Sequence, residues 1–222
     1  MRVAVYSGSF NPLHIGHLAI IRHLIEEAGF DCVYLIVSPK NPLKDGISSD
    51  SGQERYEAAV AAVKRHFGNP PAVETYVEDI PPPARGCPTI GRAGVFGIVS
   101  TAGGFPKVKV DDIELNMPEP HYTILTLDAL REREPENSFT LTVGADNLAD
   151  IRRWRDYRRI LKEYGTAVFP RTGFDLESIK TDLLSEDSSY RITLLEAEMV
   201  DISSTIIRNA IDAGQDMSDW LM

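Results

Sequence analysis

The sequence has few cysteines, no excess of positive charge and no long apolar run, and each absence excludes a class of protein. Two cysteines in 222 residues exclude a disulfide framework like those that stabilise small secreted domains. Lysine and arginine number 23 against 33 aspartate and glutamate residues, a formal net charge of −10. Because nucleic-acid-binding domains are usually basic, no nucleic-acid partner is expected.

Membrane-targeting features are also lacking. No stretch reaches the roughly 18 apolar residues of a membrane span, and the chain begins with a strand-like run instead of a basic segment followed by an apolar one. We therefore expect a cytoplasmic protein without membrane contact. Hydrophobic residues make up 43% of the chain and charged residues 25%, which is ordinary for a globular protein with a real core.

Apolar patterning predicts strands that alternate with helices. Residues 2–6 and 33–37 are short apolar runs typical of buried strands, and residues 15–28 between them have helical spacing. This alternation predicts an α/β fold with a doubly wound, mostly parallel sheet, in a single domain spanning residues 1–222. Further helices are predicted at 53–66, 122–133 and 203–213, and further strands at 139–143, 167–169 and 192–195. Helical spacing predicts an apolar face for the core in the first helix, in the helix at 122–133 and in the last helix: Leu18, Ile21, Leu24, Ile25 and Ala28; Ile124, Leu127 and Leu130; and Ile206, Ile207, Ala210 and Ile211.

One region departs from this alternation. Residues 81–106 contain three consecutive prolines and several glycines without clear periodicity. We predict an inserted loop or excursion at the edge of the sheet. Residues 94–100 are compatible with a short strand inside it.

The loop after the first predicted strand has the features of a phosphate site. Residues 8–13 read Gly-Ser-Phe-Asn-Pro-Leu and follow the carboxyl end of a strand, where open α/β sheets bind ligands. Gly8 allows close approach of the backbone to an anion, and the helix N-terminus favours phosphate. His14 and His17 lie three residues apart, so both imidazoles can face the same ligand on the first helical turn.

Structural explanations compete with this interpretation of the two histidines. His14 and His17 are also able to cap the helix or to pack on Phe10. A zinc pair is a further alternative, but no Cys, Asp or Glu in the loop completes a ligand set. The order of strand, glycine loop, two histidines and helix start favours phosphate binding.

A second anion-binding segment is predicted near the other end of the chain. Residues 202–208 read Ile-Ser-Ser-Thr-Ile-Ile-Arg, and Ser203 suits the N-cap of a helix. Ser204 and Thr205 then place hydroxyls at the positive helix end, and the forked guanidinium of Arg208 suits phosphate oxygens. A capped surface helix with a solvated arginine is the alternative for this segment alone.

Together the two segments resemble the signatures of the nucleotidyltransferase superfamily that shares a His-x-Gly-His element, which here is residues 14–17. Class I aminoacyl-tRNA synthetases carry the same four residues, but they are usually much longer and have a lysine-rich second signature that this chain lacks. The resemblance implies that both segments bind ATP. It assigns to ATP the residues Gly8, Ser9, Phe10, His14, His17, Ile202, Ser203, Ser204, Thr205 and Arg208.

Three further segments, residues 38–44, 120–127 and 143–148, are similar to nicotinate mononucleotide adenylyltransferases, bacterial enzymes of NAD synthesis. The resemblance implies adenylyl transfer from ATP to nicotinate mononucleotide, with Mg²⁺ held by the ATP phosphates and water. It implies catalytic roles for His14, His17, Lys44 and Arg208. It assigns acceptor binding to Asn11, Lys44, Tyr122, Thr123, Gly144, Asp146, Trp154 and Arg155.

These acceptor residues also have ordinary structural explanations. Lys44 suits a solvated loop, Thr123 and Asp146 suit helix caps, and Trp154 suits core packing. Arg155 stands where the family commonly has an aromatic residue, and it could meet the nicotinate carboxylate or face solvent.

Two further positions depart from the family pattern. Leu43 replaces a frequent His, and His121 replaces a frequent Ser. Two other acceptors stay open as alternatives, nicotinamide mononucleotide and phosphopantetheine, and so does a cytidylyl reaction. A non-catalytic nucleotide-binding module is a further alternative. The chain could also form a homo-oligomer.

Overall fold

A computed structural model of the chain describes residues 1–39, 51–67, 97–100, 106–197 and 202–222. Within these ranges, seven strands form one sheet in the order β3-β4-β2-β1-β5-β6-β7. The strands are β1 (Arg2–Gly8), β2 (Cys32–Val37), β3 (Gly97–Ser100), β4 (Pro106–Asp111), β5 (Ser138–Gly144), β6 (Thr166–Phe169) and β7 (Ile192–Leu194).

Helices connect the strands, and α5 continues as a π-helical turn, Ile160–Tyr164. Among the described residues, no helix is long and apolar enough to cross a membrane. The helices are α1 (Ile15–Glu26), α2 (Gly52–Phe67), α3 (Thr123–Arg133), α4 (Ala145–Ala149), α5 (Tyr157–Arg159), α6 (Leu176–Glu186) and α7 (Ser204–Asp212).

Strand pairing confirms the predicted α/β class. Neighbouring strands from β4 to β7 are parallel, and β3 is antiparallel to β4 at the sheet edge. The chain leaves β1 towards β2 on one side and later returns to β5 on the other. This reversal of strand order opens a crevice at the carboxyl ends of β1 and β5, where doubly wound sheets bind ligands.

Both faces of the sheet are buried, which explains the continuous apolar runs. In β1, Ala4 and Tyr6 belong to one core cluster, whereas Val3 and Val5 belong to the cluster on the opposite face. Helices α1 and α2 contribute to the first cluster and α3 to the second. Most of the predicted inner residues of α1 and α3 are buried: Leu18, Ile21, Leu24, Ile124, Leu127 and Leu130. Ile25 and Ala28 are only partly buried against the first cluster.

Several elements differ from the sequence predictions. The sequence patterns missed β4 and α6; α6 buries only Leu183 completely, so its apolar pattern is weak. In α7, Ile207 is buried, but Ile206 and Ile211 are 52% and 46% exposed, so the predicted inward face of that helix is wrong in part. Strand β3 lies within the predicted strand segment 94–100, while residues 81–96 and 101–105 lie outside the described part of the chain.

Candidate active site

The loop after β1 folds back over the end of its own strand. The ring of Phe10 is 3% exposed and packs edge-on against Tyr6 at a centroid distance of 5.5 Å. A Cβ on Gly8 would come within 3.1 Å of the Phe10 ring, closer than ordinary van der Waals contact. A side chain at position 8 would therefore have to displace the Phe10 ring by a few tenths of an ångström.

The two histidines stack at the start of α1. His14 is the N-cap residue, and its ring centroid lies 3.7 Å from that of His17. The backbone N–H of His14 donates to Nδ1 of His17 at 3.2 Å, while the ring of Phe10 lies 5.3 Å from His17. His14 and His17 therefore share one face, as the phosphate-site interpretation requires. The two structural roles considered for them, capping the helix and packing on Phe10, occur as well.

The hydrogen bonding defines which tautomer of His17 is present. Because Nδ1 accepts a backbone N–H, the proton of the neutral ring lies on Nε2. Among the described residues, the buried Nδ1 atom of His14 has no hydrogen-bond partner. The pair therefore offers one assigned N–H donor, on His17, and one unengaged ring nitrogen, on His14.

Burial keeps both imidazoles neutral. Burial, and to a lesser extent the positive charge of Arg171, lower the pKa of His14 to about 4. The pKa of His17 is held well below its usual range by burial, then by His14 and Arg171. At neutral pH both histidines are therefore uncharged, and they can act as hydrogen-bond donors but not as cations.

Helix α7 docks onto the same loop, as the two motifs together predict. Arg208 donates from Nη1 to the carbonyl of Asn11 at 2.6 Å and from Nη2 to Oγ1 of Thr205 at 3.1 Å. Ser204 Oγ donates to the carbonyl of Pro12 at 3.1 Å. Arg208 is thus held against the loop between β1 and α1 (residues 9–14, the predicted phosphate loop), 197 positions away in sequence. It does not extend freely into solvent.

The start of α7 has the predicted cap. The side chain of Ser203 accepts the backbone N–H of Ile206 at 3.3 Å. Ile202 is buried, and its Cγ2 would lie 3.1 Å from a Cβ on Gly16. The glycine of the His-x-Gly-His segment therefore leaves room for the second motif to approach.

The end of β5 lies beside this loop, because Tyr6 of β1 pairs with Thr142 of β5 two residues before each strand ends. A Cβ on Gly144 would come within 2.4 Å of Asp146 Oδ1, so only glycine allows this carboxylate position. Gly144 is the N-cap of α4; the capping alternative for Asp146 is therefore wrong.

Two of the predicted acceptor residues, Tyr122 and Arg155, are in contact at the start of α3. The guanidinium of Arg155 lies 5.0 Å from the ring centroid of Tyr122, a stacking contact made while its side chain stays 58% exposed. Trp154 is half-buried against the second core cluster, and its buried Nε1 has no partner among the described residues. Tyr122 is the N-cap of α3, so Thr123 does not cap it.

Lys44 lies outside the described residues, and three other residues were missed by the sequence analysis. Arg171 follows β6, with Nε 3.9 Å from Asp146 Oδ1. Its position after a predicted strand was an available signal, since that edge of the sheet binds ligands. Arg55 lies on the inner face of α2 among apolar residues, which was a second signal. Glu114 lies in a short 3₁₀ helix, Ile113–Asn116, and had no recognisable pattern.

Known proteins are similar to this chain in sequence and in fold. A probable nicotinate-nucleotide adenylyltransferase of Flavobacterium johnsoniae is 31% identical over 221 residues, 100% of this chain and 92% of that protein. One of Flavobacterium psychrophilum is 32% identical over 211 residues, 95% of this chain and 86% of that protein.

Among solved structures, the nicotinic acid mononucleotide adenylyltransferase of Plasmodium falciparum complexed with NaAD has a TM-score of 0.65 at 15% identity. The match covers 98% of this chain and 87% of that one, and it shows a common fold. Residues 5–210 match the family described as cytidylyltransferase-like. The chain therefore belongs to the cytidylyltransferase-like family.

Proposed function

We propose that this chain transfers the adenylyl group of ATP to nicotinate mononucleotide, giving deamido-NAD and pyrophosphate in NAD biosynthesis. The observation that carries the proposal is the docking of α7 on the loop after β1. Arg208 and Ser204 donate to the carbonyls of Asn11 and Pro12, so two anion-binding segments from opposite ends of the chain form one site. The relatives that cover the whole chain are named for the same reaction.

The nucleophile is the 5′-phosphate of the mononucleotide, which attacks the α-phosphorus of ATP as pyrophosphate leaves. The second pKa of a phosphate monoester is about 6, so the attacking group is already largely a dianion at neutral pH. No general base is required. The reaction then depends on alignment of the two substrates and on stabilisation of the charge that develops.

The site residues supply hydrogen bonds and positive charge for that purpose. His17 donates from Nε2 to a phosphate oxygen, and His14 lies beside it at 3.7 Å between ring centroids. The guanidinium of Arg208, fixed at the loop, faces the triphosphate. Lys44, which lies outside the described residues, is proposed as a further positive charge for the phosphates. Asp146 at the end of β5 accepts from a ribose hydroxyl.

Mg²⁺ enters this reaction as part of the ATP complex. Among the described residues, no group of three His, Cys, Asp or Glu side chains is arranged to hold a metal ion. The proposal therefore gives Mg²⁺ phosphate and water ligands, which suit its octahedral preference.

The acceptor half of the site is proposed to hold the pyridine ring. Trp154 and Tyr122 supply aromatic faces beside the start of α3. Arg155 stacks on Tyr122, which orients a guanidinium where a ring carboxylate can pair with it. This arrangement favours nicotinate over nicotinamide, because only nicotinate carries that negative charge.

The test is pyrophosphate release from Mg·ATP with a panel of acceptors: nicotinate mononucleotide, nicotinamide mononucleotide and phosphopantetheine, with CTP replacing ATP in parallel. We expect turnover with ATP and nicotinate mononucleotide to exceed every other pair. Release only with phosphopantetheine would contradict nicotinate mononucleotide as the acceptor but would still support adenylyl transfer. No release with any pair, from folded protein, would contradict catalysis and favour a nucleotide-binding module.

A further inference from the structure

Arg55 is a buried arginine that connects two loops of the site. It lies on α2, is 4% exposed and donates to backbone carbonyls of both loops. Its Nη1 atom is 2.8 Å from the carbonyl oxygen of Ser9, in the β1–α1 loop. The same atom is 2.7 Å from the carbonyl of Ser38, and Nη2 is 2.8 Å from that of Pro39, both after β2.

Glu114 is a buried carboxylate on the other side of Ser38. It is 3% exposed and accepts the hydroxyl of Ser38 at 2.5 Å and that of Thr126 at 2.8 Å. Ser7 Oγ lies 3.0 Å from Ser38 Oγ. Ser7 Oγ also donates to Glu114 Oε1 at 3.5 Å, so both serine hydroxyls contact this carboxylate.

Ser38 therefore joins a buried positive and a buried negative group. Its carbonyl accepts from Arg55, and its hydroxyl donates to Glu114. On one side the network reaches Ser9 of the phosphate loop. On the other it reaches Thr126 of α3, one turn after the predicted acceptor residues Tyr122 and Thr123.

We propose that Arg55, Ser38 and Glu114 form a positioning unit that holds the phosphate loop and the start of α3 in one geometry. The inference rests on the proposed function, because it assigns the unit to the alignment of ATP with the acceptor. Arg55 and Glu114 are buried, so we assign the unit a positioning role and not contact with the reacting atoms. They act through Ser9 and Thr126, the residues by which the two halves of the site are joined.

Alignment is what this reaction needs, since its nucleophile requires no activation. Displacement of a reacting group by about 1 Å costs on the order of 10²-fold in rate. Each substrate contacts mainly its own half of the site, so loss of the connection should leave each binding equilibrium nearly unchanged. The unit therefore predicts a loss in kcat that exceeds any change in KM.

A matched network at the opposite end of α3 provides the control. Glu134 is the C-cap residue, about 16 Å along the helix from the acceptor residues. It accepts from Tyr34 at 2.7 Å, from Asn137 at 2.8 Å and from Lys109 at 3.2 Å. Glu134→Gln should lower thermal stability and leave both kcat and KM as in the wild type.

The experiment compares Arg55→Lys, Glu114→Gln and Ser38→Ala with Glu134→Gln. Steady-state pyrophosphate release gives kcat and KM for ATP and nicotinate mononucleotide, and calorimetry gives Kd for each ligand alone. We expect Arg55→Lys and Glu114→Gln to lower kcat about 10²-fold, with KM and Kd within about threefold of the wild type. Loss confined to KM or to thermal stability would overturn the proposal.

A double variant tests whether the residues act as one unit. Arg55→Lys combined with Glu114→Gln should lose much less activity than the product of the single losses, because either change already breaks the connection. Independent, multiplying losses would overturn the inference. If either variant fails to fold, Ser38→Ala provides the test. It removes the hydroxyl that donates to Glu114 and keeps the backbone carbonyl that accepts from Arg55. Full kcat in that variant would contradict the connection.

The two proposals fail in different ways. An inactive wild-type enzyme with every acceptor contradicts the proposed function. An active wild type whose Glu114→Gln and Arg55→Lys variants keep normal kcat contradicts only the positioning unit.

Discussion

The two halves of the site differ in how they are built. The phosphate half is made of backbone groups held by buried or half-buried side chains, with Arg55 and Arg208 donating to carbonyls of one loop. The acceptor half is made of side chains at the surface, where an exposed Arg155 stacks on Tyr122. The half proposed to perform the chemistry is held by buried hydrogen bonds, whereas the half proposed to select the acceptor depends on surface side chains that substitution can alter without disturbing the core.

The two halves of the site also differ in the charge of their side chains. His14 and His17 are kept neutral by burial and by the charge of Arg171, and their proposed role is to stabilise charge as it develops in the transition state. Arg155 carries its charge in partial contact with water, where ion pairs are screened and contribute modestly. Substitutions in the first half should therefore change kcat most, and those in the second half should change selectivity.

The largest effect is expected for His17→Ala. It removes the assigned N–H donor at the phosphates, and loss of one such donor typically costs about 10²–10³-fold in kcat. The helix also loses the bond from the His14 N–H to the ring, which costs about 1 kcal/mol and a few degrees of melting temperature. Pyrophosphate release and thermal unfolding measure the two effects.

A histidine further along the same helix is the control for that substitution. His23 lies in the last turn of α1, where its Nδ1 is 3.3 Å from Glu27. His23→Ala should keep wild-type turnover. Near-normal turnover in a folded His17→Ala variant would contradict the role assigned to the pair.

A smaller effect, on selectivity alone, is expected for Arg155→Gln. It removes the charge proposed to meet the nicotinate carboxylate, so KM for nicotinate mononucleotide should rise about tenfold, as for loss of one charge-assisted contact. KM for nicotinamide mononucleotide and for ATP should change little. Arg153, 67% exposed beside Asp150, supplies Arg153→Gln as a control, and an unchanged preference in Arg155→Gln would show that Arg155 does not select the acceptor.

The smallest effect concerns stability and not turnover. The pKa of His14 is lowered to about 4 in the folded chain, so between that value and the unfolded value near 6.5 the unfolded state binds more protons. The free energy of unfolding should therefore fall as pH falls through this window, by up to about 1.4 kcal/mol per pH unit for each such histidine. Denaturant unfolding of His14→Gln should show a shallower slope than the wild type, and equal slopes would contradict the buried neutral histidine.

Sequence reasoning succeeded where the signal was local. The strand, the glycine loop and the helix start at residues 8–17 were predicted from neighbouring residues, and so was the cap at Ser203. It failed for Arg171, Arg55 and Glu114, because each acts on residues distant in sequence. It also placed Ile206 and Ile211 on an inward face, since helical spacing identifies an apolar stripe but not what covers it.

The sequence by itself determined the alternation of strands and helices and the two segments that we propose bind anions. Both follow from local features, which are the apolar spacings of two and 3.6 residues, glycine and capping hydroxyls. Each of these acts on the backbone within a few residues of its own position. Only the tertiary structure decided that Arg208 lies against Asn11, 197 positions away, and that the histidine pair is neutral. Strand order and burial set those contacts and the pKa values, and both depend on which distant residues the folded chain packs together.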